Sequence, residues 1–293
     1  MGKETAKLRW GVEQRLEFIE FRLFWEGGIN RSDLTGYFGV SVPQASNDLS
    51  QYQALAPENI AYNKNEKRYV PTGDFQPRFL KPDADRYLSQ LGQVLDCTLD
   101  LDGSWISQPP SFETVPLLHR NVDPAVLRTI VSAIRAKNSI EIRYQSLSPN
   151  RPKANWRRIS PHALAFNGQR WHARAFCHIE RNFADFLLPR FLDTRNVGEV
   201  GLGPENDLIW NQIVTVILKP HPKLNDEQKR IVTKDYGMKN DRLRVPMRQA
   251  LLYYFLKRMN LDFEEEKRPA QEQHVVLVNP EEVRDALEKA RIS

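Results

Sequence analysis

Cysteine is almost absent from this chain. Only Cys97 and Cys177 occur among its 293 residues, so a disulfide scaffold and a zinc module of the CxxC type are both excluded. No apolar run approaches the roughly 20 residues that a transmembrane helix requires. The first residues, Met1 to Glu4, carry acid and base without the apolar stretch of a secretory signal. These absences predict a cytoplasmic protein that makes no membrane contact.

Motifs of catalysis and cofactor binding are also missing. The sequence contains no HExxH, GxSxG, P-loop or GxGxxG pattern, so we expect no catalytic residues, no cofactor and no enzymatic activity. His172, Cys177 and His178 could suggest a metal site, but residues on opposite faces of a strand rarely chelate one ion. We therefore expect no metal, and an enzyme would need a constellation outside these motifs.

Charge is distributed unevenly along a chain of otherwise ordinary composition. Hydrophobic residues make up 41% and charged residues 27%, as in folded globular proteins, and the length favours about two domains, with one or three still open. Residues 1–90 hold 12 basic and 12 acidic side chains, whereas residues 121–200 hold 13 basic and 6 acidic. The basic middle segment indicates an anionic partner. The alternative is a solvated basic face.

Two stretches without regular periodicity divide the chain into three blocks. Residues 96–122 contain three aspartates, one glycine and three prolines, and residues 198–207 contain three glycines and a proline. We expect domains at residues 1–95, including a connecting helix over 83–95, at 123–200 and at 206–293, with 96–122 as a linker.

The first block has the pattern of three helices followed by a hairpin. Gly27-Gly28 ends the first helix, and Gly39 marks a tight turn before the third. Ser41 to Gln44 is an S-x-x-Q capping box with proline in the first helical turn. The expected helices are about 11–25, from 30 onward and 42–53, and the expected strands are 60–62 and 68–70. This order is that of a winged helix-turn-helix domain.

The third helix carries polar side chains suited to the major groove of DNA. A groove-reading helix must both donate and accept hydrogen bonds to base edges, and the residues that meet this need are Gln44, Ser46, Asn47, Ser50 and Gln51. Basic residues of the hairpin could hold phosphate, namely Lys64, Lys67 and Arg68. Since residues 1–90 are neutral overall, we expect weak binding by a monomer and a need for two half-sites. The alternative is a small helical domain with a solvated polar face.

The middle block is expected to be a small β-barrel. Ser139 to Ser146 alternates strictly between apolar and polar residues, and Asn167-Gly168 is a strong hairpin signal. The expected strands are 139–146, 157–166, 169–177 and 186–191, with Trp171 in the core. A helix over about 123–137 precedes them, with Asp123 as N-cap and Pro124 in its first turn.

The third block mixes helices with two strands. The pattern predicts strands at 213–218 and 274–278 and helices at 226–236, 247–259 and 280–292. Residues 253–256, Tyr-Tyr-Phe-Leu, are a dense apolar stretch that fits a dimer contact or a core equally well.

The middle block resembles the WYL domain, a small SH3-like barrel of bacterial transcriptional regulators. The resemblance rests on the segments SIEIRYQSLS, WRRISPHALAFNGQRWHARAFCHI and FADFLLPRFLD, in which the Trp-Tyr-Leu of the family is Trp171-His172-Ala173. The residues around this motif also match the family: a strand ends in Tyr-x-Ser, a Pro-His pair precedes the hairpin, and an arginine lies on the last strand. The pattern Arg-Trp-His-x-Arg-Ala, with a winged helix before it and a further domain after it, is similar to the BrxR-type WYL repressors associated with BREX and CBASS phage-defence operons.

This resemblance implies a function and a ligand site. The expected fold is α+β: an N-terminal winged helix-turn-helix, a central SH3-like barrel and a small C-terminal α/β dimerisation domain. The expected function is a homodimeric repressor that binds a near-palindromic double-stranded operator on the nucleoid and responds to an anionic ligand, either a nucleotide or a nucleic-acid fragment such as an oligonucleotide. The matching ligand-site positions are Tyr144, Ser146, His162, His172, Arg174 and Arg190. Arginine and histidine suit phosphate because guanidinium binds it through two hydrogen bonds and imidazole adds a donor.

Two other functions stay open from the sequence. One is a transcriptional activator of the same architecture. The other is an enzyme that processes nucleotides or nucleic acids with the histidines and arginines of the middle block.

Overall fold

The computed structural model describes residues 10–95, 103–113, 115, 118, 120–199, 201–261 and 267–292. The chain divides into two compact units, residues 1–117 and 118–293. Within the described helices, none is long and apolar enough to cross a membrane. Each unit is described separately.

The first unit has the predicted order of elements. Its helices and strands are α1 (Trp10–Glu26), α2 (Arg31–Phe38), α3 (Val42–Leu55), β1 (Ile60–Asn63), β2 (Arg68–Pro71) and α4 (Ala84–Leu95). Gly39 ends α2 in the left-handed conformation, with φ of 64°, which glycine adopts without strain. β1 and β2 pair as an antiparallel hairpin. A two-residue bridge between Ile29 and Tyr69 fastens β2 to the connection between α1 and α2.

Two core residues of this unit come from the segment that the sequence predicts to be a linker. Trp105 is buried, and its ring meets Phe18 and Phe21 edge-on at centroid distances of 5.6 and 5.5 Å. Ile106 is also buried. Both oxygens of Glu26 accept hydrogen bonds from this segment, including those of two backbone N–H groups. The chain after α4 therefore returns to the helices and packs against them.

The second unit begins with a helix packed on a five-stranded antiparallel sheet. The elements are α5 (Pro124–Ala136), β3 (Asn138–Tyr144), β4 (Asn155–Phe166), β5 (Trp171–Cys177), β6 (Asn182–Leu187) and β7 (Phe191–Glu199), and the strand order is β6-β5-β4-β3-β7. The predicted alternation in β3 is present, because Ile140, Ile142 and Tyr144 are buried. In the described strands no ladder joins β6 to β7, so closure into a barrel stays a prediction.

Two predictions about this sheet are wrong. Residues 186–191 are not one strand: β6 ends at Leu187, a 3-10 turn over Leu188–Arg190 contains Pro189, and β7 begins at Phe191. Proline lacks the N–H that a continuous ladder requires, which explains the break. Trp171 is not in the core. It is 50% exposed at the hairpin end of β5, where its ring packs on that of Phe166 at 4.9 Å.

The rest of the unit is a three-stranded sheet with helices. Its elements are α6 (Leu208–Asn211), β8 (Ile213–Pro220), α7 (Asp226–Asp235), β9 (Leu243–Arg248), α8 (Leu252–Arg258), β10 (Val275–Leu277) and α9 (Pro280–Ile292), with strand order β10-β8-β9. The predicted helix over 247–259 is wrong in its first part. Val245 and Met247 pair with Val216 and Val214 of β8, and Pro246 is tolerated because β9 is an edge strand.

Candidate DNA interface and candidate ligand site

The first turn of α3 is held by capping and by a buried carboxylate. Ser41 Oγ accepts a hydrogen bond from the Gln44 N–H at 3.3 Å. The side chain of Gln44 does not complete the predicted capping box. It donates instead to Asp48 Oδ1, one turn further along the helix, at 2.9 Å. The amide of Gln44 is therefore oriented by a residue of its own helix.

Asp48 also joins α3 to α1. Arg15 Nε lies 2.6 Å from Asp48 Oδ2, Arg15 Nη2 lies 3.1 Å from Oδ1, and the Asp48 side chain is fully buried. A two-point pair of this kind fixes orientation as well as distance. The sequence reasoning missed both residues, since nothing in a single sequence relates positions 33 apart.

The five predicted base-reading residues are not equally accessible. Asn47 and Ser50 are exposed, and neither side chain has a hydrogen-bond partner among the described residues. Gln44, Ser46 and Gln51 are half-buried. Ser46 Oγ donates to the Val42 carbonyl at 3.0 Å, which uses its hydrogen inside the helix. Asn47 and Ser50 are thus the side chains most free to meet a base edge.

The hairpin presents two exposed lysines and one paired arginine. Lys64 and Lys67 are exposed in the turn between β1 and β2. Arg68 is half-buried, and its Nε lies 2.6 Å from Glu66 Oε2. Glu66 therefore offsets part of the charge that Arg68 would bring to a phosphate.

A buried ion-pair network occupies the second candidate site. Arg174 Nε and Nη2 lie 2.7 and 3.0 Å from the two oxygens of Asp207, and Arg174 Nη1 lies 3.3 Å from Asp185 Oδ1. His162 Nε2 lies 3.0 Å from Asp207 Oδ2. Burial alone raises the pKa of Asp207, but the hydrogen bonds from His162 and Arg174 outweigh it and lower the pKa to about 2.

His172 extends this network to helix α8. Its ring is buried and stacks on Tyr254 at 5.2 Å, and Tyr254 Oη donates to Asp185 Oδ2 at 3.0 Å. Burial lowers the pKa of His172; Asp185 opposes this, and Arg170 and Arg190 add to it. Burial and Asp185 raise the pKa of the Tyr254 phenol. Near neutral pH, His172 is therefore an uncharged imidazole beside two arginines.

The remaining predicted ligand residues lie apart from this hydrogen-bonded network. Tyr144 is buried between Phe186 and Phe191, and its hydroxyl accepts from the Leu187 N–H at 3.1 Å. Ser146 Oγ accepts from the Ser148 N–H at 3.1 Å. Arg190 is half-buried in the turn before β7. The structure thus joins His162, His172 and Arg174 through shared partners, and Arg190 acts on His172 through its charge.

Several residues at this site were missed from the sequence. Asp207 and Tyr254 come from segments interpreted as a break between domains and as an apolar stretch. Arg170 and Asp185 lie within the segments that resemble the WYL domain, but they were not among the predicted ligand residues. One signal was available: Asp207 caps α6 by accepting from the Trp210 N–H at 3.0 Å, so an N-cap was readable there.

Positive charge without a carboxylate partner among the described residues remains in the second unit. In the described part of the chain no ion pair forms at Arg157, Arg170 or Arg190. Arg157 is buried with its guanidinium 5.9 Å from the centre of the Tyr144 ring, and the buried Nε of Arg157 and that of Arg170 have no hydrogen-bond partner. Among described residues, no group of His, Cys, Asp or Glu could hold a metal ion.

Comparison with known families gives three matches. Residues 11–93 match the model described as BrxR transcriptional regulator winged helix-turn-helix domain. Residues 125–195 match the WYL domain, and residues 213–283 match the model described as BrxR transcriptional regulator, C-terminal dimerization domain. The three matches follow one another along the chain without overlap.

Comparison with individual proteins gives relatives over nearly the whole chain. A protein of Escherichia coli (strain KTE188) named DNA-binding transcriptional repressor CapW is 39% identical over 282 residues, which are 96% of this chain and 93% of that protein. A protein of the same name from Stenotrophomonas maltophilia is 38% identical over 288 residues, 98% of this chain and 96% of that protein. The solved structure of proteasome accessory factor B/C (PafBC) of Arthrobacter aurescens aligns with 100% of this chain and 51% of its own, at 15% identity and a TM-score of 0.25, which supports no inference.

Proposed function

The chain belongs to the BrxR-type family of WYL-domain transcriptional repressors, and we propose that it represses transcription as a homodimer whose DNA binding is controlled by an anionic ligand. The observation that carries the proposal is the similarity to repressors over 96% of the chain, which includes the DNA-binding and dimerization regions together. The relatives are named as repressors, and this favours repression over activation and a regulator over an enzyme.

Base recognition is assigned to the exposed face of α3. Asn47 and Ser50 are free and exposed, and the amide of Gln44 is oriented by Asp48. An amide side chain both donates and accepts, so it can form two hydrogen bonds to an adenine edge in the major groove. Lys64 and Lys67 of the hairpin would contact phosphate, which positions the domain without reading sequence.

Homodimer formation through the C-terminal region sets the form of the operator. Two identical DNA-binding domains related by a two-fold axis require a near-palindromic site, with half-sites about one helical turn or a multiple apart. Bound to such a site, the protein would be located on the nucleoid. The operator we propose lies upstream of a phage-defence operon, by analogy with the BREX- and CBASS-associated repressors that the chain resembles.

Ligand control is assigned to the histidine and arginine cluster of the WYL domain. Arg170 and Arg190 have no carboxylate partner among the described residues, whereas the fork of Arg174 faces Asp207. A nucleotide phosphate arriving at the free arginines competes with Asp207 for Arg174 and His162. Since Asp207 caps the helix that leads into β8, this competition would loosen the connection to the C-terminal region and alter the spacing of the two winged helices.

A gel shift tests the DNA-binding part of this proposal. The purified full-length protein is titrated onto DNA from upstream of its own operon, with scrambled competitor, at two salt concentrations. A discrete complex that resists competitor is expected. Weak binding that salt abolishes on both DNAs would contradict operator recognition, because purely electrostatic binding is strongly salt-dependent.

A reporter assay tests the sign of the regulation. Deleting the gene should raise expression from the promoter that the protein binds, whereas a fall would identify an activator. Incubation of the protein with nucleotides and oligonucleotides tests the enzyme alternative, and clean turnover would refute the proposal that the cluster only senses its ligand.

A further inference from the structure

A cavity in the second unit lies between the WYL sheet and the last two helices. Its volume is about 350 Å³, at the low end of the roughly 300–1,000 Å³ typical of small-molecule sites. Arg174 of β5 and Asp185 of β6 form one side, and residues on or near α8 and α9 form the other. The apolar lining consists of Ile209, Ala250, Leu287 and Ala290.

The polar lining of the cavity includes two side chains with spare hydrogen-bond acceptor positions among the described residues. Gln249 is 1% exposed; its Nε2 donates to the Ala286 carbonyl at 2.7 Å, while its buried Oε1 has no partner among the described residues. Asp185 accepts one bond at each oxygen, from Arg174 and from Tyr254. A carboxylate has about four acceptor positions, so two remain free. An unpaired buried acceptor costs stability, and a ligand N–H group would relieve that cost.

Two tyrosines give the cavity an aromatic wall. Tyr253 and Tyr254 both line it, with their rings 5.6 Å apart. Tyr253 is 41% exposed, so part of its ring is open to a partner. Arg174 uses three of its five N–H groups on Asp207 and Asp185 and keeps two for a ligand acceptor. A flat ring with adjacent N–H donors on one edge and acceptors on another fits this lining.

We propose that this cavity binds a purine base, with guanine preferred. In this proposal the N1–H and N2–H groups of guanine donate to the Asp185 carboxylate and to the Gln249 carbonyl, while O6 and N7 accept hydrogen bonds from Arg174. Adenine carries a lone pair at N1 in place of the N1–H, so N1 would face the carboxylate as a second acceptor. A regulatory role for the cavity rests on the proposed ligand control. In that case the base of the nucleotide would bind in the cavity, and its phosphate would bind at Arg170 and Arg190.

The site spans both parts of the second unit, which gives binding a structural consequence. Asp185 and Arg174 belong to the WYL sheet, whereas Gln249, Tyr253 and Leu287 belong to the region matched by the dimerization family or follow it. A base held by both would fix their relative placement and so link ligand recognition to the part of the chain that pairs protomers.

Calorimetric titration with neutral nucleosides tests the cavity without involving a phosphate site. The full-length protein is titrated with guanosine, inosine and adenosine; inosine keeps N1–H and lacks the N2 amino group. We expect the affinity order guanosine, inosine, adenosine. Tyr253→Leu should weaken guanosine binding by roughly tenfold, because it removes the exposed aromatic face. Tyr62→Leu, at an exposed tyrosine of the first unit, is the matched control.

The outcomes separate this inference from the proposed function. Absence of guanosine binding, or equal binding of all three nucleosides, would overturn the guanine site. If inorganic phosphate or an oligonucleotide still releases the protein from its operator, ligand control stands without the base pocket. Gln249→Leu supplies a second check, since it keeps the volume and removes the acceptor: retention of full guanosine preference in that variant would also overturn the proposal.

Discussion

Arg174 and Asp207, 33 positions apart in the sequence, form a two-point ion pair in which the Asp207 side chain is 1% exposed and that of Arg174 is 8% exposed. The arginine that resembles a ligand contact of the WYL family is thus already held by the protein. We propose that it both supports the fold and senses the ligand. Any anion that binds at Arg174 must compete with the carboxylates of Asp185 and Asp207.

Removal of Asp207 should destabilise the second unit strongly. Asp207→Ala leaves the buried guanidinium of Arg174 with Asp185 alone, and breaking a buried pair in this way costs about 3–5 kcal/mol. Chemical denaturation measures the free energy of unfolding. Asp226→Ala, at a carboxylate 92% exposed, is the control and should cost less than about 1 kcal/mol. Equal losses would contradict the structural role of the pair.

Stability should fall as the pH drops below the pKa of free histidine. The pKa of His172 is lowered in the folded state by burial and by two arginines, so the folded protein resists protonation more than the unfolded chain does. The full free energy of unfolding is therefore present above about pH 6.5, and part of it is lost as the pH falls below that value, because the unfolded chain takes up a proton at His172 that the folded protein resists. Thermal unfolding at about pH 7.5 and about pH 5.5 should show a decrease in Tm that is smaller in His172→Gln.

His178 should contribute to the pH dependence of Tm in the same direction as His172. Burial and Arg158 lower the pKa of His178, so His178→Gln in the His172→Gln background should reduce the decrease further. His274→Gln serves as the control for loss of a histidine elsewhere in the unit. An unchanged pH dependence in the double variant would refute the account.

The local elements of this fold were predictable, and the site that joins them was not. The alternation around Ile142 and the start of α5, with Asp123 as N-cap and Pro124 in the first turn, follow from short-range patterns, which a single sequence displays. Met247 was assigned to a helix because a short apolar run fits a strand or a helix equally well. Asp207 and Tyr254 escaped notice because their partners are set by tertiary packing. Trp171 was wrongly predicted to lie in the core because the alternation of residues along a strand does not show whether that face is covered as far as the end of the strand.

Specific DNA binding should depend on the exposed amide of α3. Asn47→Ala is expected to cost about 1–3 kcal/mol on the operator and to leave binding to random DNA nearly unchanged, because a base contact carries sequence information. Gln44→Ala should act in the same direction. Fluorescence anisotropy on both DNAs provides the measurement. Equal losses on the two DNAs would show that α3 does not read bases.

The hairpin lysine should behave in the opposite way. Lys67→Ala removes an exposed charge that we propose contacts phosphate, so affinity should fall alike on operator and random DNA. The slope of log affinity against log salt should also become shallower by about one, since one fewer counterion is released. Loss confined to the operator would assign Lys67 to base recognition instead.

Arg190 gives the clearest separation of sensing from DNA binding. It forms no ion pair with a described carboxylate and lies in the turn before β7, so its loss removes no contact of the buried network. Arg190→Ala should therefore bind the operator as the unaltered protein does, while a nucleotide or oligonucleotide that releases the unaltered protein should no longer release the variant. Arg128→Ala, at another basic residue of the same unit, controls for lost charge. If Arg190→Ala abolishes operator binding itself, the basic face of the WYL domain contacts DNA, and ligand and operator compete for one surface.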